Sequence, residues 1–198
     1  MDIAVAMVRA YLQLNGYFTV TEYPVVRKMG NDTYRTLTDI DVAGFRLPSG
    51  ELDYAPDPAL RIPEDKPDMI IGEVKEGRAV INETVTDPEV VAKILRRFGC
   101  CSAGEASRAA RALLDRGAVE TQLGHNVRLV AFGTSIEEPA AYLRVLMSDV
   151  VAYLDKYIQQ NWELVRTSGS KDAIFGVMLL LAKARRGSTP MAPSDRRR

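Results

Sequence analysis

The chain predicts a mixed α/β fold: a helix, three antiparallel strands, two further helices, a fourth strand and two C-terminal helices. Three observations carry that expectation. Apolar residues recur at helical spacing near the start, two-residue alternation follows on both sides of a turn, and two capped helical segments then lead into a continuous apolar run of strand length.

Ile3, Met7, Val8, Tyr11, Leu12 and Leu14 mark a first helix over residues 2–15, with Gly16 as its C-terminal stop. YFTVTEYPVVRK and YRTLTDIDVAGFRL, joined by the turn residues of MGNDT, form an antiparallel hairpin. From Pro48 to Asp68 the chain holds five prolines and little periodicity, which predicts a long loop before the strand MIIGEVKEG. Thr86-Asp-Pro-Glu89 reads as a capping signature for a helix that Gly99 closes, and Ser102-Ala-Gly-Glu105 as a second capping box for a helix ending near Gly117. NVRLVAFG is the fourth strand. Ser135-Ile-Glu-Glu138 with Pro139 opens a long helix to about Trp162, and a last helix covers Lys171–Arg185. The expected organisation is a core over 1–134, a helical extension packed on it over 135–186, and a disordered tail over 187–198.

Composition narrows the function classes. Lysine plus arginine and aspartate plus glutamate number 26 each, so no global field draws in a polyanion and any nucleic-acid surface must be local. Cys100 and Cys101 are adjacent and stand alone, which excludes a disulfide framework and a thiolate zinc cluster. His125 is the single histidine and reads as a turn residue, leaving no Ser-His or Cys-His pair to argue for. The N-terminus lacks a basic leader, and the longest apolar run, Val177 to Ala182, is too short for a bilayer. A reduced, cytoplasmic protein with no membrane partner is expected.

MIIGEVKEG sets two charges in a strand that otherwise reads as buried. A buried ion without a partner costs several kcal/mol, so Glu73 and Lys75 need a partner, a metal or a chemical role. Alternation puts them on one face. The spacing alone is weak, and Glu64-Asp65-Lys66 repeats it in a proline-flanked loop. TDIDVAGF adds Asp39 and Asp41 on one face of the preceding strand. Magnesium takes a few hard oxygen ligands and keeps several waters, so Asp41, Glu73 and a carbonyl such as that of Val74 would suffice.

NGYF, TDIDVAGF and IIGEVKEG, in this order of elements, resemble the end of helix one, the second strand and the third strand of the PD-(D/E)XK nucleases, the superfamily of restriction endonucleases and Holliday-junction resolvases. The resemblance spans about residues 2–132. It implies a restriction-endonuclease-like core and divalent-metal-dependent hydrolysis of phosphodiesters, in DNA by preference, with Mg²⁺ or Mn²⁺ as cofactor. Asp41 and Glu73 would bind the ion, and Lys75 would position or activate the attacking water. Oligomeric state is left open, a homodimer among the options. Pro67-Asp68 matches the family's name more literally. However, Asp68 and Glu73 would lie on opposite faces, roughly 16 Å apart along the strand. Many members complete the site with a glutamate on the first helix; here the helix offers only Asp2, and Glu22 on the first strand is a candidate substitute, with Asp39 as a second accessory acid.

Three other readings stand beside this one. Glu73 and Lys75 could form a structural ion pair, or the chain could be a non-catalytic binding module that keeps the nuclease fold and the ion without cutting. Alternatively, the helices at 87–98 and 103–116, with Ser107, Arg108 and Arg111 on the second, could serve a DNA-binding regulator. Arg96, Arg97, Arg108 and Arg111 are candidates for a local basic patch in either case.

Overall fold

The computed structural model of the chain describes residues 2–48, 54–137, 139–168 and 172–187. It divides into two compact units, Met1–Val151 and Ala152–Arg198.

The first unit is mixed α/β. Helix α1 (Ile3–Leu14) starts at Asp2, whose side chain accepts from the Ala4 N–H. The hairpin of β1 (Phe18–Lys28) and β2 (Tyr34–Arg46) is antiparallel, and β3 (Asp68–Val74) continues the meander on β2. The loop before β3 holds one short 3₁₀ turn, Pro58–Leu60. Helices α2 (Pro88–Arg97) and α3 (Ala103–Arg116) cross over the sheet and return the chain to β5 (Asn126–Gly133), which lies parallel to β3.

Two strands were not expected. β4 (Ala118–Glu120) lines the first half of β5 antiparallel, and β6 (Leu143–Leu146) lines its second half parallel. Among the described residues the sheet therefore has six strands, ordered β1-β2-β3-β5-β4 with β6 also on β5, and it continues past residue 134. The helix expected from 135 to about 162 is corrected accordingly. Helix α4 starts only at Met147 and ends at Gln160, and α5 (Trp162–Ser168) follows a turn at Asn161. A four-residue apolar strand running into an amphipathic helix keeps one unbroken apolar pattern, which periodicity reads as helix.

Both capping expectations also change. Asp87, not Thr86, caps α2 by accepting from the Glu89 N–H. Ser102 is the N-cap of α3 but makes no side-chain cap bond, and Glu105 turns inward, where it is buried and accepts from the Gln122 N–H at 2.7 Å.

Alternation sorts the sheet's two faces. Met69 and Ile71 of β3 and Val127, Leu129 and Ala131 of β5 join the apolar side chains of α2 and α3 in one core cluster. The intervening positions face α1, with Phe132 edge-on to Tyr11 at 6.4 Å between ring centroids. β3 is buried along its whole length, as expected of a central strand with both faces covered. Cys100 and Cys101 are buried, free thiols between α2 and α3, and burial pushes the Cys100 thiol up to about 12. His125 closes the β4–β5 turn, its carbonyl accepting from the Thr121 N–H.

In the second unit, α6 (Ala173–Arg185) begins at Asp172, which accepts from the Phe175 N–H. Tyr157 meets Phe175 edge-on at 5.9 Å, and the Arg186 guanidinium lies 3.9 Å over the Trp162 ring. Among the described residues no helix is long and apolar enough to cross a membrane. The tail beyond Gly187 lies outside the described residues.

Candidate active site

The β2–β3 ladder pairs Val42 with Gly72, so one step further Asp41 stands opposite Glu73. The two strands come unusually close there. A Cβ at Gly72 would lie 2.6 Å from Val42 Cγ1 and 3.2 Å from the Val42 carbonyl oxygen, so glycine permits the approach. Asp41 is half-buried, and its Oδ2 accepts from the Val74 N–H at 2.8 Å. The Val74 carbonyl, which the sequence offered as a metal ligand, takes no part in this contact.

Glu73 is 3% exposed. Lys75, with its side chain 38% exposed, reaches back along the same face and places Nζ 2.5 Å from Glu73 Oε1. The pair therefore joins a buried carboxylate to a partly solvated ammonium. Burial raises the Glu73 pKa above the usual range, and the Asp41 charge adds to this. The hydrogen bond and charge of Lys75 and the Asn82 N–H oppose it without cancelling it. The segment after Lys75 is pinned to the end of β5, with Thr134 N–H donating to the Gly77 carbonyl at 2.6 Å and Ala79 N–H to that of Ser135 at 2.9 Å.

The structure thus brings Asp41, Glu73 and Lys75 together. The accessory acids stand differently. The β1–β2 register, between Thr21–Val42 and Tyr23–Ile40, puts Glu22 across from Asp41, but Glu22 is exposed and its Oε1 accepts from the Asp2 N–H at 3.3 Å. Its φ of 51° is left-handed, a costly conformation for a residue with a Cβ. Asp39 is exposed opposite Pro24. Among the described residues, no group of three or more His, Cys, Asp or Glu could hold a metal ion. Asp41 and Glu73 offer two hard oxygen donors side by side, a donor set that suits magnesium or manganese if waters fill the rest of the shell. In the decoy triplet, Lys66 pairs with Glu120 at 2.8 Å instead of serving Glu64.

A second charged cluster escaped the sequence. Asp68, fully buried, accepts from Arg128 Nε at 2.9 Å and Nη2 at 2.6 Å, from Asn126 Nδ2 at 2.6 Å and from the Tyr17 hydroxyl at 2.5 Å. Arg128 Nη1 donates to the Leu60 carbonyl at 2.5 Å. Burial works against the arginine's charge, but the hydrogen bonds and charge of Asp68 override it and raise its pKa. The Tyr17 hydroxyl is held far above its usual range, by burial first and by Asp68 second. The clue available was a charge at alternate positions in an otherwise apolar strand, Arg128 in NVRLVAFG, the same clue that singled out Glu73.

Between the hairpin and α2 lies a cavity of about 530 Å³ lined by Tyr23, Tyr34, Lys28, Lys93 and Arg97 among others. Arg97 donates to the Tyr23 hydroxyl at 2.6 Å. Arg96, Arg97, Arg108 and Arg111 are all exposed on α2 and α3. No family model, curated protein or solved structure matches the chain.

Proposed function

We propose that the protein is a divalent-metal-dependent nuclease of the PD-(D/E)XK type, acting on phosphodiesters of DNA. The observation that carries this reading is a buried Glu73 carboxylate clasped by Lys75, with Asp41 tied to the backbone N–H of the very next residue. A structural pair would not need a third charge held against it. Support also comes from the helix-flanked meander of β1 to β3 joined to a parallel β5, the arrangement expected of a restriction-endonuclease-like core.

In this reading Asp41 and Glu73 hold Mg²⁺ or Mn²⁺, which supplies polarisation of the scissile phosphate and acidification of a water. Asp41 cannot swing freely, because the Val74 N–H fixes one of its oxygens. Lys75 is placed to shift its ammonium from Glu73 to the water or to the charge that develops on the phosphate. Exposure of its side chain leaves that movement open to solvent and substrate. The rings and cations of the cavity beside α2 are the groups that stack bases and neutralise backbone.

Cleavage of plasmid and of single-stranded DNA by the pure protein in Mg²⁺ or Mn²⁺ tests the reading. Asp41→Ala, Glu73→Ala and Lys75→Ala should each abolish it, while Lys66→Ala with Glu64→Ala stays within a few-fold. A Lys75→Ala variant that cuts as well as the parent would sink the assignment. Binding of DNA with no cleavage would favour a non-catalytic module. Independent of turnover, saturating Mn²⁺ at about 100 times its dissociation constant should stabilise the parent by roughly 2.7 kcal/mol. Asp41→Asn should lose most of that shift in thermal melts, and Asp68→Asn, if folded, should keep it. The regulator reading is disfavoured because β5, into which the second helix leads, is held in the sheet between β3 on one edge and β4 and β6 on the other.

A further inference from the structure

Along one edge of β5 the partner changes from β4 to β6. Arg128 is the last β5 residue paired with β4, and Val130 the first paired with β6. A cavity of about 510 Å³ opens at that change. Four guanidinium-bearing residues line it, Arg61, Arg116, Arg128 and Arg144, and among its described lining residues none is acidic. Asp68 neutralises Arg128 from behind, so the charge offered to this small volume is that of Arg61 and Arg116.

The cavity is built, not incidental. Arg61 sits at φ 48°, a left-handed conformation that costs a non-glycine residue energy, at the end of the 3₁₀ turn whose Leu60 carbonyl Arg128 holds at 2.5 Å. The buried Asp68–Arg128 pair thus braces the segment that presents Arg61. Opposite it, Gly117 at φ 72° ends α3 beside Arg116, and a Cβ there would lie 2.3 Å from the Ala141 carbonyl oxygen. Only glycine lets the α3 end and the segment leading into β6 close this wall.

Guanidiniums gathered around one volume repel each other, and the repulsion is relieved by an anion with several charges and oxygens arranged for their forked donors. The volume is that of a small-molecule site and exceeds the needs of a single phosphate. We propose that this cavity binds a small oligophosphate, two or three linked phosphates, as in the tail of a nucleotide. Arg128 lies beside Ile70 of β3, toward the strand end away from Glu73, so the proposal holds whether or not the carboxylate site cleaves DNA.

Calorimetric titration with inorganic tripolyphosphate, free of divalent metal and at constant ionic strength, tests it. One saturable site is expected, weakened about tenfold by each of Arg61→Gly and Arg116→Ala and more by the pair. Arg61→Gly suits the left-handed backbone, so its loss of binding would not be a folding defect, and circular dichroism checks both variants. Arg35→Ala, an exposed arginine of β2 outside the cavity, should bind as the parent does. Heat that never saturates, equal heat from sulfate or citrate, or a double variant that binds unchanged would overturn the proposal. So would duplex DNA whose binding depends on Arg61 and Arg116 more steeply than that of tripolyphosphate, which would make the arginines part of a nucleic-acid surface.

Discussion

The two ends of β3 each carry a buried carboxylate facing a cation, and they are built differently. Asp68 receives four hydrogen bonds, and its arginine partner is itself buried. Glu73, nearly as buried, holds a lysine that is more than a third exposed and has a second carboxylate alongside. Every oxygen at the first end is spoken for, whereas at the second a rearrangement is open to Lys75. The contrast separates a clamp from a working group: burial alone marks neither, and the partner's freedom marks the difference.

The largest effect should come from breaking the clamp. Arg128→Met leaves Asp68 charged and without its guanidinium, which costs about 3–5 kcal/mol, or roughly 10 °C of melting temperature in a chain of this length. Pairing it with Asp68→Asn should recover part of the loss. Lys75→Ala should cost on the order of 1 kcal/mol, since the ion is half-solvated and Glu73 can take up a proton. Denaturant unfolding of the variants compares the two ends directly, and equal losses would erase the distinction.

A pH series sharpens it further. Because the Glu73 pKa is raised in the folded state, chiefly by burial, the folded protein binds a proton that the unfolded chain has released. Glu73 therefore contributes stability that is full below the ordinary carboxylate range and is lost as pH rises through its folded value. Glu73→Gln should melt close to the parent in mild acid and above it at neutral pH. A parent-to-variant gap that does not change with pH would show that Glu73 is not strained. Smallest of all, Lys66→Ala breaks an exposed pair with Glu120 and should leave the unfolding midpoint almost where it is in the parent.

Much of the fold was legible where a single period lasted long enough. The hairpin, β3 and β5 all follow from patterns of seven residues or more. β4 has three residues and β6 four, too few to show a period, and β6 runs straight into α4. The Asp41, Glu73 and Lys75 set was legible because antiparallel neighbours in sequence bring predictable residues together. The Asp68 cluster was not, since Tyr17, Asn126 and Arg128 arrive from elements 51, 58 and 60 residues away. Glu105 shows the same limit, because the N–H it serves belongs to Gln122, 17 residues on. A local capping rule has no view of such a competitor.

The parallel pairing of β3 with β5 also bears on the order in which the chain assembles. β1, β2 and β3 are a meander whose connections, the long β2–β3 loop included, are shorter than the crossover, and β5 can dock only after α2 and α3 have carried the chain across the sheet, with Ile70 meeting Arg128. Closing the longer loop is entropically slower, so the meander should lead and the β3–β5 seam follow. On that schedule Asp41 and Glu73 meet early in folding, while Asp68 waits for its arginine. The nascent meander thus holds Asp68 against the Tyr17 hydroxyl alone until the crossover brings Asn126 and Arg128 to it.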